Sequence, residues 1–133
     1  MRSKLRRALL GMTLVLAGVC MTTGAVNAAR VYPDRPIRLV VPFPAGGGTD
    51  VIGRMLAARL SNTLKTTVVV DNVVGATGTI GTAQVARAAP DGYTLVLGIS
   101  ATHAIAPSIF PKLPYDPLRD FVPIGRIAIG GNV

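Results

Sequence analysis

The 133-residue sequence has no glutamate and no tryptophan, one histidine and one cysteine. The cysteine, Cys20, falls in an N-terminal stretch that reads as a leader, so the rest of the chain has no thiol. These absences exclude metal clusters and a Cys/His nucleophile, and no cofactor is implied. An oxidising compartment is tolerated without any disulfide framework. Aromatics make up only 5% of the chain, and beyond the leader the arginines are scattered (30, 35, 38, 54, 59, 87, 119 and 126), with no basic run and no interleaved aromatics. A nucleic-acid partner is therefore not expected.

What the chain does have at its start is targeting chemistry. Arg2, Lys4, Arg6 and Arg7 form a positive head, and Ala8 to Val19 is an uncharged apolar run. A bilayer span needs ~20 apolar residues, and polar Thr22, Thr23 and Asn27 follow too soon for that. The pattern is that of a secretory signal peptide over residues 1–28, with Val26-Asn27-Ala28 placing small residues for a cut before Ala29. Leu16-Ala17-Gly18-Val19 only loosely resembles a lipoprotein box, since Val19 is ill suited next to Cys20, and Cys20 is read as lost with the leader. No stable membrane insertion is then expected after cleavage. Residues 29–133 keep ten Lys and Arg against six Asp, a net charge of +4. So mild a field favours anionic ligands and is screened beyond ~8 Å in physiological salt.

The mature chain repeats one order: short apolar run, glycine-rich turn, helical pattern. Ile37-Arg38-Leu39-Val40-Val41 is β-branched and nearly continuous, as in a strand covered on both faces. Phe43-Pro44-Ala45-Gly46-Gly47-Gly48 turns, Thr49 suits an N-cap, and Val51, Ile52, Met55, Leu56 and Leu60 recur at helical spacing. A second strand is predicted over 67–71, then Gly75-Ala76-Thr77-Gly78 and a helix over about 79–88. Pro90-Asp91-Gly92 reads as a tight turn before a third strand at 94–98. Pro107, Pro111, Pro114 and Pro117 then allow short helices at most, with Asp116-Pro117 suited to a helix start. Strands separated by helices favour parallel pairing, which makes the fold class α/β with a parallel sheet flanked by helices. Ligands of such sheets collect outside the carboxyl ends of the strands, where the loops 43–50, 74–79 and 98–103 lie.

Amide groups of Gly46-Gly47-Gly48-Thr49, four or more pointing at one spot, could form an anion nest at a helix start. The alternative is a plain turn. No Gly-Lys-Ser/Thr ending follows, which argues against nucleoside triphosphates, and a carboxylate fits better. Gly75-Ala76-Thr77-Gly78-Thr79-Ile80-Gly81 matches the glycine fingerprint of short-chain dehydrogenases, yet it follows the second strand, no acid ends the next one, and no Tyr-x-x-x-Lys pair exists. Ser100, His103 and Asp50 could be drawn as a triad, but Ser100 lacks the Gly-x-Ser-x-Gly elbow. Asp50 is either a dipole-favoured helix-start residue or part of a ligand site.

Four blocks carry a resemblance: the run from Tyr32 through Pro36-Ile37-Arg38-Leu39-Val40-Val41-Pro42-Phe43-Pro44-Ala45-Gly46-Gly47-Gly48 to Asp50, then Ala88 to Leu95, His103 to Ser108, and Leu113 to Phe121. In these the chain resembles the substrate-binding receptors of tripartite tricarboxylate transporters, the Bug-type periplasmic proteins, from Tyr32 to about Ile124. The resemblance implies a type II periplasmic-binding fold, of which residues 29–133 are a partial first lobe with the second lobe absent. It also implies a periplasmic, non-enzymatic protein that closes on a small carboxylate metabolite and delivers it to the membrane components of a tripartite transporter. Matching ligand positions are Phe43, Ala45, Gly46, Gly47, Thr49 and Asp50 in the first loop and Ser100, Thr102 and His103 in the third. The second loop departs from the family, with Val73-Val74 for the usual Arg-Pro and Thr77 for a usual glycine. Family members are about twice the size of an ordinary domain, so a truncated, impaired product with an aggregation-prone sheet edge is expected. A stand-alone anion-binding module, a gene remnant and a dinucleotide-binding oxidoreductase fragment remain as alternatives.

Overall fold

The computed structural model describes residues 31–129. The signal-peptide reading and its cleavage site lie outside the described residues.

Strand β1 (Ile37–Val41) is central, flanked by β2 (Val68–Asn72) and β3 (Thr94–Val96) in the order β2-β1-β3. Both pairings are parallel, with Leu39 opposite Val70 on one side and Leu95 on the other. Helix α1 (Gly48–Leu64) packs on β1 and β2, and α2 (Thr79–Ala86) on β1 and β3. Strand alternation sends Ile37, Leu39 and Val41 to the α1 face, where they form the core with Ala57, Val68 and Leu97. Arg38 points to the α2 face, bonded to Asp71, and Gln84 of α2 accepts from it at 3.0 and 3.1 Å with its amide oxygen turned inward. The expected α/β class, a parallel sheet flanked by helices, is what the chain forms. Four β1 residues, Ile37, Leu39, Val40 and Val41, are at most 1% exposed. At ~1.5–3 kcal/mol for each large buried aliphatic side chain, this strand anchors the sheet.

Several boundaries differ from the sequence reading. β2 begins one residue later than predicted, and β3 ends at Val96, with one further bond to the central strand from Leu97 N–H to Val40 O at 2.9 Å. Thr49 is not the N-cap. Gly47 holds that position, without a side-chain cap, and Thr49 lies inside the helix. The displacement follows from Asp50, whose carboxylate turns back to accept from the Gly46 amide at 2.8 Å and so fixes the helix start two residues upstream of Thr49. Val51, Ile52 and Met55 are exposed, whereas Gly53, Leu56, Ala57, Leu60 and Leu64 face the sheet. Ile127 and Ala128 of the irregular segment 121–129 line a shallow apolar cavity with Ile52, Met55 and Leu56 of α1.

A Cβ at Gly53 would lie 2.7 Å from Val41 Cγ2. Val41 is fully buried and stiff, so overpacking at ~1–3 kcal/mol outweighs the ~1 kcal/mol that alanine gains in helix propensity. Gly53→Ala is therefore expected to lower the urea midpoint slightly; a raised midpoint would show that α1 can lift off the sheet without loss.

The turn 90–92 forms as predicted, with Asp91 accepting from the Tyr93 amide at 3.0 Å and Gly92 at φ +81°. It clamps the segment before β1: Tyr32 donates to Gly92 O at 2.9 Å, and Arg35 lies 4.2 Å over the Tyr93 ring while pairing with Asp91. Asp116 caps a single turn by accepting from the amides of Leu118 and Arg119. Among the described residues no helix is long and apolar enough to cross a membrane.

Candidate functional site

Because the three strands are parallel, their carboxyl ends bring the three loops to one edge of the sheet. They meet at Gly78. A Cβ on this residue would lie 2.8 Å from Thr102 Cγ2, of the third loop, and 3.1 Å from Phe43 Cζ, of the first. The second loop reaches that point through consecutive positive φ values at Gly75, Ala76, Thr77 and Gly78. Thr79 and Thr82 then fix the start of α2 by donating to Ala76 O and Gly78 O. The second loop, placed by the sequence among the three at the carboxyl edge but departing from the family pattern, is where the other two loops come into contact.

The glycines of the first loop face open space. Nothing would touch a Cβ at Gly46 or Gly48 within 4 Å, and only Pro44 O approaches Gly47, at 3.5 Å. Gly46, at φ +82°, needs glycine for its backbone; Gly47, at φ −76°, does not. The amide nest is smaller than expected. Gly46 N–H is used by Asp50 and Gly47 N–H by Pro44 O at 3.4 Å, while Val51 N–H already bonds Gly47 O. The amides of Gly48, Thr49 and Asp50 open α1 with no acceptor inside the helix. They carry the positive end of its dipole.

Asp50 is 3% exposed. Its Oδ2 accepts from Arg54 Nε and Gly46 N, both at 2.8 Å, and its Oδ1 from Asn72 Nδ2 at 2.9 Å. Arg54 first, then Gly46 and Asn72, lower its pKa from 3.8 to about 2. The carboxylate is therefore ionised and fully engaged, and it shapes the loop from below. In the third loop Ser100 is exposed, at the start of a π-helical turn (Ala101–Ile105), and makes no side-chain capping bond. Thr102 is wholly buried; its hydroxyl donates to Ile99 O at 3.0 Å and lies 2.8 Å from His103 Nδ1, and its carbonyl accepts from Tyr115 Oη at 2.6 Å. His103 is half-buried, packed under Gly98 and edge-on to Phe121 at 5.0 Å, and burial lowers its pKa, so it is neutral at pH 7. With His103 turned to Thr102 and Asp50 held by Arg54, a Ser100–His103–Asp50 relay is not assembled. The fingerprint glycine Gly81 has a packing function: a Cβ there would lie 2.6 Å from Val73 O and 3.0 Å from Pro42 Cβ.

Of the nine expected ligand positions, Phe43 and Thr102 meet across Gly78, Gly46 and Asp50 are bonded to each other, and Ala45, Gly46, Gly47 and Ser100 are exposed. Thr49 lies in the opening turn of α1, and His103 supports the third loop from within. Sequence reasoning missed Gly78 and Asn72. A polar residue closing an otherwise apolar strand, as in Val70-Asp71-Asn72, was the available signal for the latter.

A parallel sheet flanked by helices, with open polar loops at its carboxyl edge, is the arrangement this chain shares with solved periplasmic binding proteins. The solved periplasmic binding protein BugD matches it with 52% identity and a TM-score of 0.68, over 71% of this chain and 31% of that one. MatC from Rhodopseudomonas palustris with bound malate matches at 44% identity and a TM-score of 0.67, over 69% of this chain and 31% of its own. The profile of the tripartite tricarboxylate transporter family receptors covers residues 52–132, and Protein BugT of Bordetella pertussis is 45% identical over 124 residues, 89% of this chain. The chain belongs to the tripartite tricarboxylate transporter receptor family. Members of this family are binding proteins and not enzymes. The chain spans 38% of the length of BugT.

Proposed function

We propose that the chain is exported to the periplasm, after cleavage before Ala29, and holds one carboxylate of a small metabolite over the start of α1 for delivery to the membrane components of a tripartite transporter. The observation that carries this reading is the helix start itself: seventeen residues of helix open at Gly47 without a side-chain cap, beneath glycines with free space above them. A bound carboxylate there would accept from the opening amides, with the exposed Ser100 hydroxyl available on the third loop. The malate bound to MatC supports the ligand class. Asp50, Thr102 and His103 serve by shaping the loops.

These loops alone bind weakly. Two or so charge-assisted bonds at ~1.5–3 kcal/mol each, plus a helix-terminus contribution of ~0.3–1 kcal/mol, face an association cost of about 4 kcal/mol or more. Micromolar affinity needs about −8 kcal/mol, so millimolar binding or weaker is expected for this chain. Gly47→Val tests the site, because the backbone there accepts any residue and a valine would screen the amides. Titration with malate followed by amide shifts should show loss of the Gly48 and Thr49 responses, with a melting temperature lowered only by the few degrees that a poorer N-cap of ~1 kcal/mol costs. Equal responses in both proteins would reduce the loop to a plain turn.

A further inference from the structure

Resting on the carboxylate reading, we infer that Asn72, the last residue of β2, is the positioning residue that holds the first loop in its binding shape. Its one amide group uses both donors and its acceptor on that loop and helix. Nδ2 donates to Phe43 O at 3.0 Å and to Asp50 Oδ1 at 2.9 Å, and Oδ1 accepts from Arg54 Nη2 at 3.2 Å. Asp50 in turn holds the Gly46 amide. A chain of bonds thus runs from the sheet through Asn72 to both ends of the glycine turn, and none of its links touches the open space above Gly46 and Gly48. The pattern of two donors and one acceptor requires a side-chain amide. An aspartate here would set two acceptors against Phe43 O and the Asp50 carboxylate, and a serine has one donor for two acceptors.

The experiment compares amide hydrogen exchange in the full chain with Asn72→Asp and Asn72→Ser, the second guarding against misfolding of the first. Gly46 exchange should accelerate by about tenfold or more, while Leu39 and Val40 in the central strand keep their protection. Millimolar malate should move the Gly48 and Thr49 amides of the unaltered chain and move them far less in the variants. Unchanged Gly46 protection in a folded variant would overturn the inference. So would loss of Leu39 and Val40 protection in parallel with Gly46 in both variants, or full malate responses in variants whose Gly46 protection has gone. If malate leaves the unaltered chain unmoved while Gly46 alone is deprotected in the variants, the carboxylate reading falls and the positioning of the loop by Asn72 stands.

Discussion

Gly78→Ala is expected to destabilise the chain by about 2–5 kcal/mol, a large part of the ~5–15 kcal/mol that holds an ordinary domain together. Two costs combine. Gly78 sits at φ +87°, where an L side chain costs ~1–2 kcal/mol, and its Cβ would lie 2.8 Å from Thr102 Cγ2 and 3.1 Å from Phe43 Cζ. Thr102 is wholly buried and tied to Ile99, His103 and Tyr115, so it cannot yield without breaking those bonds, and displacement of this kind costs ~1–3 kcal/mol. Thermal unfolding reads the effect at ~4–8 °C per kcal/mol for a domain of this size. Gly48→Ala is the control, since a Cβ there meets nothing within 4 Å and should leave the midpoint near its original value. Equal melting of the Gly78→Ala protein and the unaltered chain would mean that the three loops do not meet at this residue.

The second large effect is on acid stability, through Asp50. Its carboxyl protonates near pH 2 in the folded chain against an ordinary 3.8, so between those values the unfolded chain binds the proton and the folded chain does not. The stabilisation it provides is complete above pH 3.8 and is lost as the pH falls through about 2. Asp50→Asn removes the charge that faces Arg54 at every pH. Urea midpoints of the two proteins should therefore differ most at neutral pH and converge as the pH falls through and below about 2. A gap that stays constant from neutral to acid pH would show that the Arg54 and Gly46 bonds do not depend on the ionised carboxylate.

The main elements and their order could be read from local residue patterns. A β-branched run at 37–41 bounded by Pro42 reads as a buried strand because backbone sterics and burial act within a few residues, and β1 occupies that range. The glycine turns and the tight turn at 91–92 were legible for the same local reason, as was parallel pairing from the helices between strands. Tertiary structure alone decided which side of α1 meets the sheet: Val51, Ile52 and Met55 share the helical period with Leu56 and Leu60, and only the orientation fixed by Gly53 against Val41 leaves the first three outside. It likewise decided the cap, since Asp50 draws in Gly46 only when Asn72, 22 positions away, and Arg54 hold its carboxylate. The convergence of Phe43, Gly78 and Thr102 had no signature in any one segment. It exists because three parallel strands end at the same edge, and a contact made between loops far apart in the chain is set by that geometry and not by the residues on either side of it.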